Sequence, residues 1–243
     1  MMKFIIFMAL TYICLGASQS AEEILRKVDE NMYADAVEMI STMKIYGERA
    51  ERTLKAKTYS MGREKSLTEF LDPPRENGVK MLKIDDDLWT FYPKADRIVK
   101  ISGHMLRQSL MGSDLSYEDM MEDEKLYESY DAEILGSEPI DGRACHVMQL
   151  VAKRENQTYQ LRKLWVDKEH FLPLQEELYA KGGKLLKRIN IKDIRKVNER
   201  WYPFSILYKD MLTAGRGTEL VIHSVIFDPK LSPQIFSKGV LRR

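Results

Sequence analysis

The 243-residue chain carries 38 Lys and Arg against 37 Asp and Glu, a formal net charge of +1, with 44% hydrophobic and 31% charged residues. The two signs are interspersed, so no basic face is offered to nucleic acid. After the first segment no apolar run approaches the ~20 residues that a membrane helix needs.

The N-terminus reads as a secretory signal: Lys3 supplies the positive region, Phe4 to Gly16 is an apolar run too short to span a bilayer comfortably, and Ala17, Ser18 and Ser20 are small. Cleavage is expected after Ser20, giving a signal peptide over 1–20 and one mature domain over 21–243. Cys14 follows the bulky Ile13, where a lipobox wants a small residue, so a plain cleaved signal is read over diacylation; an uncleaved anchor is the remaining alternative. Without the leader the formal charge is about zero, and Cys145 is the only cysteine. It sits in a strand-like run and reads as a small buried hydrophobe.

Helical spacing of Ile24, Leu25, Val28 and Met32 predicts a helix over Ala21 to Tyr33, with Glu22 and Glu23 favouring its start. From Val37 the pattern turns to alternation. A first strand is predicted from Val37 onward, where Met39, Ser41, Met43 and Ile45 alternate with Ile40, Thr42 and Lys44. Further strands are predicted over Arg52 to Met61, Ser66 to Leu71, Val79 to Ile84, Leu88 to Tyr92 and Arg97 to Ile101. Turns or breakers separate them at Gly62–Glu64, Asp72–Gly78, Asp85–Asp87 and Pro93–Asp96. Ser102 to Glu128 interrupts the meander with one or two short helices, and Ser116 with Asp119 forms a weak capping box. Strands resume at Tyr130 to Leu135, Ala144 to Lys153, Tyr159 to Val166, Leu174 to Ala180, Lys184 to Lys196, Trp201 to Lys209 and Thr218 to Phe227. Punctuation by Gly, Asn and Asp about every ten residues, without long helices between, predicts an antiparallel meander in one twisted, curled sheet.

Two late strands, Trp201 to Tyr208 and Glu219 to Phe227, are apolar at nearly every position, so both faces are expected to meet nonpolar neighbours. Either a helix covers one side and a core the other, or the concave side is a lipophilic cavity; the pattern leaves both open.

No arrangement of chemistry-bearing residues points to catalysis. His104, His146, His170 and His223 are scattered, without the spacing of a zinc or calcium site, and Asp85–Asp87 is too short a turn to supply calcium's six or more oxygens. Ser109 lacks a G-x-S-x-G elbow, and His104, Ser109 and Asp114 make a triad only on paper. Acidic residues at 118–124 read as a solvated helix face. The methionines are more informative: of 14, three lie in the leader, and Met105, Met111, Met120 and Met121 crowd the helical interruption. Their flexible, polarisable side chains adapt to varied apolar partners, although Met at helical spacing also fits ordinary core.

The order Trp89, Tyr92-Pro93, Arg97, Lys100-Ile101, Met105, Gln108-Ser109, Met111-Gly-Ser-Asp114 resembles the outer-membrane lipoprotein-sorting family related to LolA, within the LolA/LolB/RseB superfamily. Ile134 to Gly142 followed by Cys145, Leu164-Trp-Val-Asp-Lys168 with Leu172-Pro-Leu174, Trp201-Tyr-Pro-Phe204 and Ile235-Phe-Ser237 to Leu241 extend the likeness over nearly the whole mature chain. The resemblance implies an α+β, mostly antiparallel fold. A single strongly curved half-barrel sheet would carry an N-terminal helix and short lid helices over its concave face. It implies a hydrophobic cavity and lid drawn from Trp89, Phe91, Met105, Leu106, Leu110, Met111, Met120 and Met121. It further implies a periplasmic, non-enzymatic carrier of a lipid or lipoprotein acyl chain, needing no cofactor or metal. Its role would lie in outer-membrane lipoprotein sorting or envelope lipid transport, with an inner-membrane transporter or outer-membrane acceptor as partner. The alternative is a periplasmic regulatory module, RseB-like, that binds a membrane protein.

Overall fold

The structure, a computed structural model, describes residues 19–122 and 124–242; the predicted leader up to residue 18 lies outside the described residues. Among them no helix is long and apolar enough to cross a membrane.

The chain begins with helix α1 (Ala21–Met32), whose start is set by Ser20. Its hydroxyl accepts from the Glu23 N–H at 3.2 Å while the Glu23 carboxylate accepts from the Ser20 N–H at 3.0 Å, a complete capping box. Six strands follow as a meander: β1 (Ala36–Tyr46), β2 (Glu51–Met61), β3 (Lys65–Asp72), β4 (Lys80–Ile84), β5 (Asp87–Tyr92) and β6 (Arg97–Ile101). Residues 102–129 then form a strap with two short helices, α2 (Tyr117–Met121) and α3 (Leu126–Ser129). A second meander completes the sheet: β7 (Tyr130–Ile140), β8 (Arg143–Ala152), β9 (Leu161–Asp167), β10 (Pro173–Tyr179), β11 (Leu185–Val197), β12 (Arg200–Asp210) and β13 (Gly217–Phe227).

All thirteen strands join in one open antiparallel sheet in the order β6-β5-β4-β3-β2-β1-β13-β12-β11-β10-β9-β8-β7. The two meanders meet where β1 pairs with β13, from Val37 opposite Phe227 to Tyr46 opposite Gly217, with a bulge at Ile40/Ser41. The sheet thus begins at β6 and ends at β7, and the strap joins these two edges directly. Twelve interstrand steps of ~4.8 Å would separate the edges by roughly 58 Å if the sheet were flat. The strap doubles back on itself at the Ser109–Ser116 bridge. Its reach is therefore far shorter than its contour, and a curled sheet brings the edges within it.

Side-chain alternation sorts the residues onto two faces. Leu54, Ala56, Phe70, Met81 and Leu88 share one cluster with Leu110, Leu115 and Tyr117 of the strap, and this is the concave face. Helix α1 occupies the same face farther along, where Ile24, Leu25 and Val28 pack on Met148, Leu150, Leu164 and Val166. The opposite face carries Leu67, Leu82, Trp89 and Phe91 beneath Phe236 and Leu241 of the C-terminal segment.

Three expectations change. Strand β7 runs on through Pro139, beyond the predicted end at Leu135, because an edge strand tolerates a residue with no N–H to give. Met32, predicted on the buried stripe of α1, is 38% exposed. In β13 only one face is shielded: Ile222 and Val225 are buried, but His223 and Ser224 are exposed and Ile226 is 53% exposed, since no element packs over the outer surface there.

Because Leu25 is fully buried against strands far away in sequence, Leu25→Ala should lower the unfolding free energy by about 2–5 kcal/mol. In the chain that retains Ser20, Ser20→Ala should cost about 1 kcal/mol by removing this cap. Urea denaturation of the two variants measures both.

Candidate functional site

The strap does not lie flat on the sheet. Beneath it a cavity of about 320 Å³ is lined on the sheet side by Met39, Met43, Phe70, Met81, Leu178, Ile189, Tyr208 and Leu220, and on the strap side by Leu110, Leu115 and Met120; the charged Asp119, Glu122, Arg162, Glu176 and Lys187 border it as well. For scale, an apolar cavity of ~150 Å³ takes a benzene molecule, so this one has room for roughly a dozen carbons. Thr58 and Thr68 also line it, and their hydroxyls bond each other at 3.0 Å, so neither needs a polar partner from the lumen. Burial pushes the Tyr208 hydroxyl above its ordinary value of 10.0.

Polar contacts, spaced along the strap, hold it over this space. Asp114 accepts from the Thr218 hydroxyl at 2.8 Å and from the Asp210 N–H at 2.9 Å, while its own N–H donates to Thr218 Oγ1 at 2.9 Å. Thr218 is fully buried, so the Gly112-Ser113-Asp114 turn is pinned to β12 and β13. Immediately before this turn, Met111 adopts the left-handed conformation (φ 52°) and its carbonyl accepts from Arg52. Gly112 also has positive φ, and a Cβ there would fall 2.6 Å from the Arg52 guanidinium.

Helix α2 is fastened more firmly. Ser116 and Asp119 form the predicted capping box, and Asp119 also pairs with Lys187 of β11 and accepts from the Tyr159 hydroxyl at 2.5 Å. Burial works to raise the Asp119 pKa, but Lys187, Tyr159 and the Ser116 N–H together outweigh it and hold the carboxyl below its ordinary 3.8. Just beyond the helix, Glu122 pairs with Arg162 of β9, which also bonds Glu176 of β10 at 2.9 Å. The Arg162 side chain is 5% exposed and lies 4.8 Å from the Tyr130 ring. From the other half of the sheet, Lys83 donates to the Met121 carbonyl at 3.1 Å. The α2 turn is thus tied to both meanders at once.

The residues expected to form the cavity and lid divide into three groups. Leu110 and Met120 line the lumen. Met105, Leu106, Met111 and Met121 pack against the same concave cluster as parts of the strap, without lining the cavity. Trp89 and Phe91 are on the opposite face, under Phe236 and Leu241. Alternation in β5 explains this: Leu88, Thr90 and Tyr92 turn inward, so 89 and 91 turn out. Missed in the sequence reading were Met39, Met43, Ile189 and Leu220, which sit at alternating strand positions but look like any other inward-facing residues.

The triad that can be written on paper is not assembled: the Ser109 hydroxyl donates to the Ser113 carbonyl at 2.6 Å, and Asp114 is committed to Thr218 and Asp210. Cys145 is fully buried, and burial pushes its thiol up. Among the described residues no group of three or more His, Cys, Asp and Glu could hold a metal ion.

A family model described as "uncharacterized protein" matches residues 62–243. Three solved structures share the architecture over nearly their full lengths. A DUF1329 family protein from Desulfovibrio piger aligns with TM-score 0.83 and 26% identity, covering 91% of this chain and 97% of its own. A LolA superfamily protein from Nitrosomonas europaea aligns with TM-score 0.75 and 26% identity, covering 92% and 100%. A domain assigned to outer membrane lipoprotein sorting, from Vibrio parahaemolyticus, aligns with TM-score 0.81 and 24% identity, covering 92% and 98%. No curated protein matches the sequence.

The Asp119–Lys187 pair should act as a pH-sensitive fastening. Because the folded carboxyl is held below 3.8, its stabilisation is present above that value and lost as pH falls through the folded pKa. Hydrogen exchange in 109–121 should accelerate on acidification before that of β8 and β9. Asp119→Asn, which leaves Lys187 buried without its countercharge, should destabilise by about 3–5 kcal/mol, and Asp119→Asn with Lys187→Met should recover part of the loss.

Proposed function

Since the chain belongs to the LolA-like family, we propose that it is an exported, periplasmic binding protein whose concave lumen holds the hydrocarbon chain of a lipid or lipoprotein. The observation that carries this reading is the lumen itself. It is a space of about 320 Å³ with a predominantly apolar lining, under a strap attached to the sheet by both apolar packing and polar contacts. Such a space has the size and lining of a small-molecule site.

The energetics assign it a passive role. Shielding a sixteen-carbon chain from water is worth roughly 12 kcal/mol at ~0.8 kcal/mol per methylene, and a bilayer provides the same. A lumen of this kind therefore exchanges chains near equilibrium with membranes. Net transfer in one direction requires a membrane partner, an inner-membrane transporter on the loading side or an outer-membrane acceptor on the unloading side.

The test is uptake of an environment-sensitive fluorescent fatty acid by delipidated protein. Leu220 lines the lumen and is only partly buried, so Leu220→Glu introduces a carboxylate into the apolar space at an accessible position. Affinity should fall at least about tenfold with little change in melting temperature. Equal uptake by wild type and variant would refute the site, and no uptake by either would refute the function.

A further inference from the structure

The lumen does not end at the α2 fastening. A second space of about 190 Å³ opens at the turn between α1 and β1, bounded by Met32, Tyr33, Val37, Ser60 and Tyr202. Both spaces are bounded by the same two residues, Met39 and Thr58. These are direct partners across the β1–β2 ladder, and the next inward-facing pair, Val37 opposite Ser60, belongs to the second space alone. The two cavities therefore lie one after the other along β1 and β2, with one shared cross-strand pair between them. Met39 brings to that pair an unbranched, readily re-oriented side chain.

We infer that Met39 and Thr58 form a chain-length threshold and that the natural ligand is a long single hydrocarbon chain that crosses it and reaches the Met32–Tyr33 mouth. The inference rests on the hydrocarbon-binding function proposed above. Length supports it. The six residue steps of β1 from Met43 to Val37 span about 20 Å at ~3.4 Å per step. A chain crossing one leaflet of a ~30 Å hydrocarbon core is about 15 Å long. The inner cavity alone, at about 320 Å³, has room for roughly a dozen carbons on the benzene scale; the two spaces together accommodate a membrane-lipid chain. Met32 and Tyr33, each 38% exposed, place apolar and aromatic surface at this mouth.

The test is displacement of a fluorescent fatty acid from the delipidated protein by straight-chain acids from octanoate to stearate. In wild type, affinity should climb through the whole series, by up to about fourfold per methylene. Thr58→Trp, which fills the threshold, should make the series level off near laurate. Ser60→Trp, two residues nearer the mouth and only half-buried, should level off later, at palmitate; it is the informative variant if Thr58→Trp fails to fold. A wild-type series that already levels off at laurate overturns the threshold while leaving the inner lumen as a binding site. So does an equal loss at every length in both tryptophan variants. Failure of every acid to displace the probe, or of the probe to bind wild type, overturns the hydrocarbon-binding function as well.

Discussion

The lumen depends on a connection that must run from one edge of the sheet to the other, because β6 and β7 are consecutive in the chain yet stand at opposite ends of the thirteen-strand order. Every other pair of successive strands can be joined by a short turn; this pair cannot. The connecting segment has to cross a face, and the concave face gives the short route. A curled sheet and a strap across its hollow are thus two consequences of one topological fact. The β1–β13 pairing that joins the meanders makes that fact unavoidable.

What keeps the hollow from collapsing is the chemistry of the attachments. A strap fastened only by large apolar side chains would sink until they filled the space, since tight packing is worth several kcal/mol. This one packs Leu110, Leu115 and Tyr117 on the sheet but is held as well by hydrogen bonds and ion pairs: Asp114 on Thr218, Asp119 on Lys187, Glu122 on Arg162, and the Met121 carbonyl on Lys83. Short-range polar contacts of this kind set a distance between strap and sheet. Buried ion pairs are poor sources of net stability, but breaking one leaves an uncompensated charge and is costly. That asymmetry suits a cover that must hold one position firmly.

The order of elements was largely legible in the sequence, because hairpin turns and period-two alternation are local signals. The helix over 21–32, the interruption after Ile101 and the Ser116–Asp119 cap are all readable from neighbours a few residues apart. The site was legible only in part. Leu110 and Met120 could be picked out by their place in the strap, whereas Trp89 and Phe91 drew attention as aromatics and face the wrong way. Alternation says that 89 and 91 share a face but not which face is concave. Met39, Ile189 and Leu220 carry no mark that separates a lumen wall from a packed core.

The chain by itself determined the meander, the single helical interruption, the absence of a basic face and the family resemblance, since each rests on composition or on short-range spacing. Only the tertiary structure decided that the edges meet across a strap, which face is hollow, and that Asp119, Tyr159 and Lys187 converge from positions far apart in sequence. Whether inward-facing side chains touch or leave room depends on the separation between two surfaces. That separation is set by curvature and by long-range polar contacts, and no stretch of neighbouring residues encodes either one alone.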